Sequence, residues 1–106
     1  MILDIKPLSV NKAWQGKRFK TNDYKNYETE VLYLLPNKIN VDLSDKLCIS
    51  LTFGFKNKSS DIDNPVKLFI DILQKKYGFN DSQIFELNIK KEITKKPFIK
   101  WEIKKY

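Results

Sequence analysis

Asp61 and Asp63 stand two positions apart in the run Asp61-Ile62-Asp63-Asn64-Pro65. In extended backbone, residues i and i+2 point to the same face, which sets two carboxylates side by side. Neighbouring carboxylates repel unless a cation lies between them. A hard divalent ion answers that need, because Mg²⁺ accepts one or two carboxylates and keeps water in its other positions. Lys67 follows Asp63 by about one helical turn and projects back toward the pair. Its ammonium suits contact with a phosphate, or stabilisation of negative charge developing in a transition state. A helix starting at Asn64 adds backbone N–H donors and a partial positive charge. Asp81, in Phe79-Asn80-Asp81-Ser82, closes an acidic cluster if the returning chain brings it beside Asp61 and Asp63. The spacing alone does not require that.

The same residues have plainer readings. Asp-x-Asp-Asn-Pro before a helix is ordinary capping and turn chemistry. Lys67 fits a solvated helix position. Asp71 lies on the same broad helical face and can pair with Lys67 or Lys75. Asn80-Asp81 fits a turn. Cys48 fits a small buried hydrophobe. Trp14 can stack on a base or pack on the domain, while Trp101 alternates with charge and reads as core.

Composition narrows the chemistry. The 106-residue chain is expected to be one domain spanning 1–106, and its 42% hydrophobic content argues for a folded globule. It contains one cysteine and no histidine. That removes zinc fingers, Cys/His nucleophile pairs, histidine bases and intrachain disulfides, so any metal must take oxygen ligands: Mg²⁺, with Mn²⁺ as a substitute. The net charge of +7 favours a polyanionic partner. Apolar runs are too short to span a bilayer and the N-terminus lacks the pattern of a secretory signal, so a cytoplasmic location is expected.

Several elements must position these residues. Ile2–Ile5 reads as a short strand. Leu8–Lys20 reads as a long basic loop. Thr21–Leu35 has helical spacing, with Thr21 or Asp23 as cap and Pro36 as stop. Leu47–Phe55 alternates cleanly as a strand. A second helix is expected from about Pro65 to Tyr77, capped by Asn64 and ended by Gly78. Phe85, Leu87 and Ile89, then Ile99, Trp101 and Ile103, mark two strands joined through Thr94–Pro97 as a terminal hairpin. The fold class is therefore α+β (mixed α/β), with four strands and two helices.

Asp61-Ile62-Asp63-Asn64, Lys67, Asp71 and Gly78-Phe79-Asn80-Asp81-Ser82-Gln83-Ile84 together resemble the RusA family of Holliday junction resolvases. The early Pro7-Leu8-Ser9-Val10-Asn11 run and the element order agree, so the resemblance covers nearly the whole chain. It implies a homodimer with a mixed sheet flanked by helices. It implies a crossover junction endodeoxyribonuclease of bacterial or phage-infected cells that acts in recombination and repair. Asp61, Asp63 and Asp81 would be metal ligands and Lys67 the phosphate contact. Lys12, Lys17, Arg18, Lys20, Lys56 and Lys58 would hold the backbones of a branched DNA substrate. Family members often carry an acid where Asn80 stands here, and the paired prolines common near the start are absent. The competing function is a non-catalytic basic module that binds nucleic acid.

Overall fold

The computed structural model describes residues 1–9, 14–15 and 19–106. Its elements are β1 (Ile2–Leu3), β2 (Trp14–Gln15), β3 (Phe19–Lys20), α1 (Asn22–Leu34), β4 (Leu47–Phe55), α2 (Val66–Tyr77), β5 (Ile84–Ile93) and β6 (Phe98–Lys105). A single 3₁₀ turn, Asp81–Gln83, precedes β5.

The strand with the strongest alternation takes the centre. β4 has β6 antiparallel on one side and β5 parallel on the other, and β1 pairs with the far edge of β6, giving the order β1-β6-β4-β5. Ile49, Leu51 and Phe53 of β4 are buried, as are Ile99, Trp101 and Ile103 opposite them. Both helices cover this face. Tyr24, Tyr27 and Val31 of α1, and Phe69, Ile72 and Leu73 of α2, join one core with it. Phe69 meets Phe53 edge-on at 6.3 Å between ring centres. The intervening residues Lys100, Glu102 and Lys104 are exposed on the opposite face. The result is two layers, helices over a mixed four-stranded sheet.

The final two strands do not form the terminal hairpin expected from the Thr94–Pro97 turn. β5 and β6 flank β4 instead, so the connection must cross over its end. Gly54 permits this: a Cβ there would collide with the Phe98 ring and lie 2.9 Å from the Thr94 methyl. The backbone N–H of Thr94 donates to Phe55 O at 2.7 Å, fixing the crossing. Local turn signals favour a hairpin, but β4, buried along most of its length, is better placed with a partner on each side.

Helix boundaries follow the expected chemistry with one exception. Thr21 caps α1 by accepting from the Tyr24 N–H at 3.2 Å. Gly78 ends α2 at φ 79°, a conformation that suits glycine. Asn64 does not cap α2. Pro65 occupies that position without a side-chain cap, and Asn64 Nδ2 donates to Asp61 Oδ2 at 3.3 Å. The expected first strand shortens to two residues, and part of the expected loop forms the β2–β3 ladder.

Candidate active site

The acidic segment leaves the end of β4 and turns sharply. Residues 62–65 bend rather than extend, and the Val66 N–H donates to Asp63 O at 3.2 Å. The same-face geometry expected for Asp61 and Asp63 depends on extended backbone, so it does not arise. Asp63 lines a hollow of about 610 Å³ with Lys67, Asp81 and the apolar Ile62, Val66, Ile70, Phe85 and Leu87. Asp61 lines a different, more polar hollow with Asp4, Asp23, Ser60 and Asn64.

The turn closed at Asp63 makes this separation. β4 and β5 are parallel, so the chain leaves β4 at one end of the pair and enters β5 at the other. α2 runs back between them, its 12 residues spanning about 18 Å at 1.5 Å per residue. Asp61 and Asp63 both precede that return and Asp81 follows it, and Lys67 in the first turn of α2 still reaches Asp81 at 3.5 Å. Among the described residues no three or more His, Cys, Asp or Glu side chains gather as a metal cluster. Asp63 and Asp81 do open on one hollow and offer only oxygen donors. That suits a hard divalent ion, which keeps most of its positions for water.

Lys67 ties the helix to the second acidic residue. Its Nζ lies 3.0 Å from Asp71 Oδ1 and 3.5 Å from Asp81 Oδ2. The hydrogen bond to Asp71 leads in raising the Lys67 pKa, with Asp81 adding to it against the smaller opposing effect of burial. Lys67 is therefore a fixed positive charge, held between two carboxylates at the mouth of an apolar hollow.

Asp81 is held by its neighbours. Asn80 Oδ1 accepts from the Ser82 N–H at 3.0 Å, and Gln83 Oε1 accepts from the Asn80 N–H at 2.9 Å, a reciprocal cap over the 3₁₀ turn. Gln83 Nε2 also donates to the carbonyls of Leu43 at 2.7 Å and Asp45 at 2.9 Å. Gln83 thus pins the Asp81 turn to the segment before β4. In the sequence Gln83 stands out only as part of the Asn80-Asp81-Ser82-Gln83 run. A capping residue reaching a segment about forty positions away leaves no local signal.

The basic residues divide. Lys12, Lys17 and Arg18 lie outside the described residues. Lys20 is engaged: its Nζ lies 2.9 Å from Glu28 Oε2 and 4.9 Å from the centre of the Tyr24 ring. Lys75 meets the other Glu28 oxygen at 3.0 Å. Burial opposes ionisation of Glu28, but hydrogen bonds and charge from Lys20 and Lys75 outweigh it and hold the carboxyl below the usual range. Lys56 and Lys58 are exposed. Cys48 is buried, and burial leads, with Glu86 at 3.3 Å, in pushing its thiol pKa up.

Comparison with protein-family models matches residues 6–104 to the endodeoxyribonuclease RusA family. The chain belongs to the RusA family. A comparison with curated proteins finds no matching sequence. The RusA match spans all of β2 through α2 and β5 and includes Asp61, Asp63, Lys67, Asp71 and Asp81. A RusA chain is an endodeoxyribonuclease, a hydrolase of internal DNA phosphodiester bonds. No described helix is long and apolar enough to cross a membrane.

Proposed function

We propose that this RusA-family chain resolves four-way DNA junctions by metal-dependent hydrolysis, in recombination and repair in the cytoplasm of a bacterial or phage-infected cell. The observation that carries this reading is the hollow where Asp63, Lys67 and Asp81 meet, within a family match running from residue 6 to 104. Asp63 and Asp81 would hold Mg²⁺, or Mn²⁺ in its place, with Asp61 entering when substrate draws the 61–65 turn inward. A bound divalent ion supplies an activated water and neutralises charge on the phosphate.

The chain's own groups do the rest. Lys67 places its ammonium against a non-bridging phosphate oxygen and stabilises the charge that grows there. Asp71 orients Lys67. The apolar side chains of Ile62, Val66, Ile70 and Leu87 border the place where the phosphate would sit. With no histidine in the chain, proton transfer falls to water and the carboxylates.

A homodimer completes the reading, since paired cuts need two sites. Its support is β5, a ten-residue strand left at the sheet edge with no strand beyond it among the described residues. An open edge is where a second chain can add.

The test is cleavage of a synthetic four-way junction and a matched linear duplex, with Mg²⁺, Mn²⁺ or EDTA. Paired, metal-dependent nicks on the junction alone are expected. Binding without cleavage in either metal would replace this reading with the non-catalytic binding module, and sedimentation as a monomer when bound to the junction would remove the dimer.

A further inference from the structure

Two segments remote in sequence share one corner of the sheet. The loop 56–60 leaves β4, and the turn 94–97 leaves β5. Thr94 N–H to Phe55 O, at 2.7 Å, holds the turn against the last residue of β4. Lys91 Nζ donates to the carbonyls of Lys58 at 2.9 Å and Ser60 at 2.7 Å, drawing the loop across to β5. A lysine directed at two backbone carbonyls is acting as a brace, not as a surface charge.

The corner so assembled is strongly positive. Lys56, Lys58, Lys90, Lys95, Lys96 and Lys100 are all exposed there. None takes part in the ion pairs among the described residues, whereas Lys20, Lys67, Lys75, Lys104 and Lys105 each have an acidic partner. Lys90 and Lys100 stand on either side of Thr52 in one row across the open face, about 10 Å apart at the usual strand spacing. Glu92 is the sole acid from 90 to 100.

At about 10 Å these exposed charges lie just beyond the screening length of about 8 Å at physiological salt, so they repel one another only weakly and act together as a positive patch. A polyanion seated on that patch gains several phosphate contacts at once and releases its own counterions. Ser60, whose carbonyl Lys91 holds, immediately precedes Asp61. The positive corner therefore borders the start of the acidic segment.

We propose that this corner is the seat of a DNA duplex arm, contacted through its phosphates by the loop 56–60 and the turn 94–97 together, with Lys91 as the brace that keeps them one surface. The proposal rests on the DNA-cleaving reading above. Contacts of this kind position the duplex without reading its sequence.

The test compares wild type, the Lys95→Ala/Lys96→Ala double variant, its Lys→Arg counterpart at the same positions, and a Lys25→Ala/Lys38→Ala control. Binding of a fluorescent four-way junction is measured in EDTA over a series of salt concentrations. The alanine pair is expected to weaken binding and reduce the log–log salt slope by about 1.8, from roughly 0.9 per lost phosphate contact. The arginine pair and the control are expected to keep the wild-type slope. If the alanine pair keeps that slope while wild type binds and cuts junctions, the corner is not the seat and the cleavage reading stands. If wild type neither binds nor cuts, both are overturned.

Discussion

The Lys67 ammonium lies 3.0 Å from the Asp71 carboxylate, one helical turn further along α2, and closer than the 3.5 Å that separates it from Asp81. The pair is exposed, so as an i,i+4 contact it contributes only about 0.3–0.5 kcal/mol to stability. Its importance is directional, since Asp71 aims the ammonium across the mouth of the hollow.

Lys67→Met is therefore expected to lower junction cleavage by about 10²-fold, the usual cost of removing one transition-state donor. Asp71→Asn should lower kcat less, and shift Tm by only about 1–4 °C. Single-turnover cleavage and thermal melting check both. Unchanged cleavage in Lys67→Met would take the lysine out of the chemistry.

Gln83→Leu removes the two donations to Leu43 and Asp45 and the acceptance from Asn80. The expected cost is about 1–3 kcal/mol, with cleavage falling further than stability because Asp81 loses its anchor. Gln83→Glu tests the same point differently. Its carboxylate still accepts from Asn80 but faces two carbonyls with no donor, so urea melts at neutral pH should resemble those of Gln83→Leu. Wild-type stability in both variants would show that the turn holds itself.

Gly54→Ala places a methyl group against the Phe98 ring and is expected to destabilise by about 1–3 kcal/mol through overpacking. Adding Phe98→Leu should recover part of that loss. A double-mutant cycle measures the coupling, and additive effects would mean that the crossover does not depend on this contact.

Glu28→Gln breaks the bonds to Lys20 and Lys75. The folded-state pKa of Glu28 is lowered from 4.5, so its stabilisation is present above that value and is lost as pH falls through the folded pKa. The variant should be about 1 kcal/mol less stable than wild type at pH 7. The gap should close in strongly acidic solution. Chemical denaturation at both pH values is decisive, and a gap independent of pH would mean that shape rather than charge is what the substitution alters.

Much of the fold is legible in the residues. Leu47–Phe55 alternates so regularly that its strand matches residue for residue, and Thr21 and Gly78 mark helix ends by local chemistry alone. What escapes is relational. Thr94–Pro97 reads as a hairpin turn because nothing local reveals that β4 lies between the joined strands. Asp61 and Asp63 read as a matched pair because period two is the default for extended chain, and only the turn closed at Asp63 separates them. Asp81 and Lys67 lie together though the spacing does not require it, and Asp61 is left in another hollow. Lys91 gives no hint of its role, since a strand lysine bracing a loop looks like any other.

The parallel pairing of β4 with β5 also governs the order in which the chain can assemble. Leu47 meets Ile84 on one side and Lys105 on the other, both far downstream. Closing such long loops costs entropy before any contact returns it, which slows folding. The most apolar strand thus waits for both its neighbours, while the crossover carrying Asp63 and Lys67 is still being delivered. Lys46 and Lys56 stand immediately before and after it, where a charge acts as a gatekeeper and discourages one nascent chain from zipping onto another.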